Sequence, residues 1–259
     1  MPLTLPTHPM AVLPLKVWRP RWFDGVALVV GAVAPDLPYA ADGYPLGFRA
    51  HAWLAPFWWA APLALLCVPL VRWTAGRVAV HLPAAGPLRL RDYGVLALVR
   101  HRWWVTATSA ALGAYSHILW DSVTHDTINH RPIPLRGLTS EAVPGWLWYE
   151  VLSKASNAVG LLAAVGLAVH MGRTRALVRW HGPAPDGERR PVRFWGTVVA
   201  VTAAGAATLP FQPYPGVFPT QAIRCLLIGC AALVAGACAV ALVPTRHHLD
   251  VAGRRPGME

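Results

Sequence analysis

Ser116-His117-Ile118-Leu119-Trp120-Asp121-Ser122-Val123-Thr124-His125 closes an apolar stretch and carries His, Asp and His at positions i, i+4 and i+8. An α-helix turns about 100° per residue, so His117, Asp121 and His125 drift by only about 40° per step and share one face. Two imidazoles and a carboxylate on one face can hold a divalent transition metal and leave positions open for water or substrate. Their setting adds weight, because ionisable groups inside an apolar segment are costly and mark functional sites. The same residues could instead form a hydrogen-bonded seam between helices, or part of a proton or ion relay.

The elements that position this face read as membrane helices. The chain is 55% hydrophobic and 14% charged, with 13 Trp, and its mean hydropathy is +0.40. Apolar runs of about 20 residues are expected to span a bilayer. They fall at Ala52–Val71, Trp103–Asp121, Trp148–His170, Phe194–Pro210 and Gln221–Val243, with a shorter one at Phe23–Tyr39. The expected fold is all-α, a polytopic bundle of five to six spans, with residues 1–259 as one membrane domain. Within it, residues 1–170 form the core of the site, 171–193 a cytoplasmic loop, and 194–259 two further spans and a basic tail. Ala32-Val33-Ala34 after a basic stretch has the outline of a signal peptide. Pro35 and the distance of the basic residues from Met1 favour an uncleaved first span.

A net charge of +11 suggests nucleic acid until its distribution is considered. Eighteen Lys and Arg residues fall in 1–23, 72–102, 171–193 and the tail after Val243, whereas the alternate loops hold only Arg49, Arg131 and Arg136. This alternation follows the positive-inside rule, and it places the rich loops and the C-terminus in the cytoplasm of a bacterial inner membrane. A nucleic-acid surface has no reason to alternate with spans, so no nucleic-acid partner is expected. Cys67, Cys225, Cys230 and Cys238 lie in apolar segments without metal-type spacing and read as small buried hydrophobes.

With the loops assigned by charge, Asp36, His51, His117, Asp121 and His125 all gather at the outer face, where Glu150 and Lys154 open the fourth span. His130, in a polar loop, could reach the same region. His8 fits less simply. A plain six-span arrangement leaves it inside, whereas a short half-helix over His8–Val17, reversed by Trp18-Arg19-Pro20-Arg21-Trp22, brings it back toward Asp36. Each residue also has an ordinary reading: Asp36 as a helix or turn cap, His51 as an interfacial histidine, Glu150 and Lys154 as snorkelling groups.

Thr4-Leu5-Pro6-Thr7-His8-Pro9, Ala34-Pro35-Asp36-Leu37-Pro38-Tyr39, His51 and the 116–125 motif together resemble an uncharacterised bacterial membrane family, domain of unknown function 4184. The resemblance covers residues 3–170 well and the last two spans by hydropathy alone. The order of elements is also similar to inner-membrane proteins assigned as metal-dependent hydrolases, and more distantly to zinc-dependent phospholipase C. Those resemblances imply His8, Asp36, His51, His117, Asp121 and His125 as metal ligands. The chain departs from the hydrolase pattern in having Leu37-Pro38 after Pro-Asp, and Ala52-Trp53 after His51. Neutral imidazoles and carboxylates suit zinc, with manganese or iron as alternatives. The expected function is a metal-dependent hydrolase acting on a lipid or lipid-linked (phospho)ester, with Glu150 and Lys154 as catalytic groups. A transporter with an ion or proton site, or a metal-stabilised scaffold, is the non-enzymatic alternative.

Overall fold

The computed structural model describes residues 7–125, 127–128, 131–132 and 136–242. Helix α1 (His8–Trp18) opens with Pro9 in its first turn, where a missing N–H breaks no helical bond. Its 11 residues span about 17 Å, half a bilayer core, and His8 at its start stacks on His117, which is the half-helix arrangement. After a turn, Asp24 caps α2 (Gly25–Val33) by accepting the Ala27 N–H at 3.4 Å. Pro35 and Pro38 then deny the chain two amide donors, and it tightens into a 3₁₀ segment, Ala34–Ala41.

A single π turn, Pro56–Ala60, leads into α3 (Ala61–Ala79), and a second 3₁₀ segment, Leu90–Ala97, precedes α4 (Trp103–Thr124). Two short hairpins follow, β1 (Thr127–Ile128) with β2 (Arg131–Pro132) and β3 (Glu141–Val143) with β4 (Trp146–Leu147). The chain continues as α5 (Trp148–Arg173), α6 (Ala176–His181), α7 (Pro191–Thr208) and α8 (Phe218–Ala241).

Among the described residues, four helices are long and apolar enough to cross a membrane: Pro56–Ala79, Trp148–Arg173, Pro191–Phe211 and Phe218–Ala241. The protein is an all-α helical membrane bundle. Helix α4 has the length, at 22 residues, but falls outside that group because Ser, Thr, His and Asp interrupt its apolar sequence. Its polar face is turned inward, so a low hydropathy coexists with a central position. The second span runs past its expected end at Val71, which puts Arg72 inside α3 rather than in a loop.

Helices α2 and α4 cross at backbone contact. A Cβ on Gly31 would meet the Ala110 backbone, and one on Gly113 would meet those of Leu28 and Ala32. Small residues let membrane helices approach this closely. Ala27, Ala64, Val68 and Ala110 fill one side of the crossing, and Ala34, Ala60 and Ala114 the other.

At the end of α2 remote from Asp36 the bundle interior holds polar groups. Buried Asp24 receives Arg72 at 2.7 Å and the Thr106 hydroxyl at 2.8 Å, and its own N–H donates to Ser109 at 3.0 Å. This network ties α2, α3 and α4 together. Arg224 in α8 donates to the carbonyls of Ala40 (3.0 Å), Asp42 (3.0 Å) and Pro213 (2.6 Å). With Thr220 donating to Asp42 at 2.7 Å, it pins α8 to the segment that follows α2.

Candidate metal centre

The cluster is assembled from four places in the chain. The α2–α4 crossing sets His117 beside the end of α2, where its Nδ1 lies 2.7 Å from the Ala32 carbonyl oxygen. A carbonyl only accepts, so Nδ1 carries the proton and Nε2 faces inward. One turn further along α4, Asp121 Oδ2 stands 3.0 Å from that Nε2. The 3₁₀ segment imposed by Pro35 and Pro38 turns Asp36 toward the same point, with Oδ1 3.4 Å from His117 Nε2. His51, in the loop before Pro56, places Nε2 3.5 Å from Asp36 Oδ1 and 3.6 Å from Asp121 Oδ2.

The half-helix α1 adds His8. Its ring stacks on His117 at 3.8 Å, and Nε2 lies 3.4 Å from Asp121 Oδ1. Helix α5 braces this end of α1, since Gly160 packs directly on Thr7. His125 follows α4 and puts Nδ1 3.5 Å from Asp121 Oδ1 and 3.1 Å from the Thr124 hydroxyl. Asp121 is thus approached by all four histidines.

Asp36, His51, His117 and Asp121 each offer one atom within 4.8 Å of the others, and this cluster could hold a metal ion. His117 is fully buried, and Asp36 and Asp121 are nearly so. The buried atoms His117 Nε2, His8 Nε2 and Asp121 Oδ1 have no well-directed hydrogen-bond partner among the described residues. The cluster's atoms crowd at 3.0–3.6 Å, a spacing compatible with donors around one ion. Two buried carboxylates also need positive charge, which a divalent ion or protonated histidines must supply. Burial of the His51 ring disfavours its charged form, but the carboxylates of Asp121 and Asp36 outweigh that and raise its pKa.

All six residues expected as ligands therefore converge. The two expected catalytic groups do not join them. Glu150 accepts the Leu147 N–H at 2.9 Å and so caps α5, while Lys154 lies over the Trp146 ring at 4.4 Å. Both act at the start of α5, held by helix-end chemistry and a cation–π contact. His130 lies outside the described residues. Two participants escape inspection of the sequence: the Ala32 carbonyl, a backbone group, and Tyr39, whose ring stands 6.1 Å from His51.

The profile of a family described as domain of unknown function (DUF4184) matches residues 1–243. The chain belongs to this family. The match extends through α8, so the last two helices, whose resemblance in sequence rests on hydropathy alone, are part of the family's domain. No curated protein and no solved structure gives a significant match.

Proposed function

We propose that this DUF4184 member is a metal-dependent hydrolase embedded in a bacterial inner membrane. It would act on a lipid or lipid-linked (phospho)ester at the outer face. The observation that carries the proposal is the convergence of Asp36, His51, His117 and Asp121 on one buried point, with His117 Nε2 left free of a directed partner. These four would hold the ion, and His8 would pack behind His117. A mixed imidazole–carboxylate donor set suits zinc, and also manganese or iron. When bound, such an ion acidifies a coordinated water and polarises an ester or phosphoryl oxygen.

The chain's own residues supply the rest. The Ala32 carbonyl holds the His117 tautomer, and His8 and His125 stand 3.4 and 3.5 Å from Asp121 Oδ1. His125, less buried than His117, is suited to carry a proton between the site and water. The outer-face assignment drawn from the basic loops, with Trp53, Trp120, Trp146 and Trp148 as an interfacial belt, favours substrates whose scissile group lies at headgroup level. The alternating basic loops support the outer-face assignment and a cytoplasmic C-terminus. A through-path for ions is disfavoured by the backbone contact at Gly31 and Gly113, which separates this cluster from the Asp24–Arg72 network.

The test is hydrolysis by protein reconstituted with phospholipids and lipid-linked phosphates. Release of headgroup or phosphate that is abolished by chelation and by Asp121→Asn, with the fold retained, supports the proposal. A metal-replete protein that cleaves neither phosphoester nor carboxyl-ester lipids overturns it.

A further inference from the structure

Along α1 from Met10 to Val17, a cavity of about 440 Å³ opens between α1, α2, the approach to α4, α5 and α6. Leu13, Val26, Val30, Leu167 and Ala168 give it apolar walls, and Lys16, His101 and His181 supply its polar end. Val29 and Val71 lie at its margin and are exposed, so it opens sideways toward the lipid surrounding the bundle. Its size falls within the usual range for small-molecule sites.

The charge at the polar end is unbalanced. Asp24 is the acid facing it, and Arg72 and Thr106 already engage that carboxylate. Lys16 Nζ donates to the carbonyls of Pro20 (2.5 Å) and Phe23 (2.9 Å) and lies 5.9 Å from the Trp180 ring centre, so among the described residues no carboxylate is bonded to it. His101 Nε2 and His181 Nε2 are buried without a hydrogen-bond partner among the described residues. Burial, reinforced by Lys16, His101 and Arg72, lowers the His181 pKa to about 4, so its ring is neutral at pH 7 and one nitrogen carries a proton to offer.

An apolar slot open to the bilayer, ending in an ammonium with no bonded carboxylate and two imidazole nitrogens without a hydrogen-bond partner among the described residues, matches an amphiphile with an anionic head. We propose that this cavity holds an acyl chain of an anionic phospholipid, with its phosphate against Lys16, His101 and His181. This second lipid site is independent of the metal centre and of any hydrolysis there.

Native mass spectrometry of the full chain tests the assignment, with phosphatidylglycerol, phosphatidylcholine and soluble glycerol phosphate added separately. One bound phosphatidylglycerol is expected, favoured about fivefold over phosphatidylcholine for a single lysine charge. Glycerol phosphate should not be retained. Lys16→Gln should bring the two lipids to similar occupancy, and Ala168→Phe, which fills the apolar wall, should exclude both. Metal content should stay unchanged in these variants. Should Lys16→Gln fail to fold, His181→Gln and the wild-type lipid preference carry the test. Equal retention of both lipids by the wild type, retention of glycerol phosphate alone, or undiminished lipid in Ala168→Phe would each overturn the proposal.

Discussion

Gly113→Ala tests how tightly the fold controls the site. The added Cβ would lie 2.8 Å from the Ala32 amide nitrogen and still closer to the Leu28 carbonyl, both backbone atoms that no rotamer change can move. Restoring ordinary contact requires α2 and α4 to separate by roughly 1 Å. Ala32 is also the residue whose carbonyl holds His117 Nδ1 at 2.7 Å, so the same displacement stretches that bond beyond useful hydrogen-bond length. Overpacking of this kind costs about 1–3 kcal/mol. Loss of the bond that orients a ligating histidine typically costs about 10–100-fold in metal affinity. The assay pairs thermal unfolding in detergent with metal competition against a chelating dye. Gly166→Ala on α5, where a Cβ meets open space, is the control and should be neutral or slightly stabilising. A Gly113→Ala protein with wild-type melting and wild-type metal affinity would refute the link between the crossing and the site.

Arg72→Leu should destabilise the protein by about 3–5 kcal/mol, because it strands the Asp24 carboxylate in the interior. The double variant Asp24→Asn/Arg72→Leu should recover part of that loss in the same unfolding assay. Arg224→Met should cost about 3 kcal/mol or more by leaving three carbonyls without their charged donor, and limited proteolysis should then cut first around residues 211–217. The pH dependence has a definite sign: the folded protein resists protonating His181 until about pH 4, whereas the unfolded chain binds that proton near pH 6.5. Stability from this group is therefore full above pH 6.5 and falls as pH drops toward 4, and His181→Gln should flatten that part of the melting profile.

Much of the fold is legible in hydropathy because lipid forces every span to be apolar and helical. The span ends are less so. Arg72 and Arg77 read as loop cations yet continue α3, since hydropathy detects the apolar run and not the helix that outlasts it. The half-helix α1 could be framed as one of two arrangements, but its length alone did not decide between them. The packing that selects it, Gly160 on Thr7 and His8 on His117, is long-range.

At the site, helical spacing brought His117, Asp121 and His125 to one face, and the Pro-Asp motif suggested Asp36. Glu150 and Lys154 suit catalysis by chemistry and location, but each finds a local partner at the start of α5 that residue type cannot reveal. Asp24, an acid before an apolar run, has the sequence pattern of a simple helix cap. It caps α2 and also anchors the buried network.

Elemental analysis of the detergent-purified protein, wild type beside His117→Ala/Asp121→Ala, tests the central claim most directly. The account predicts near-stoichiometric zinc, manganese or iron in the wild type and its loss in the variant, with helical content and lipid retention preserved. Metal-free wild type after reconstitution with each ion would contradict it, and would make the cluster a seam of carboxylates neutralised by protonated histidines.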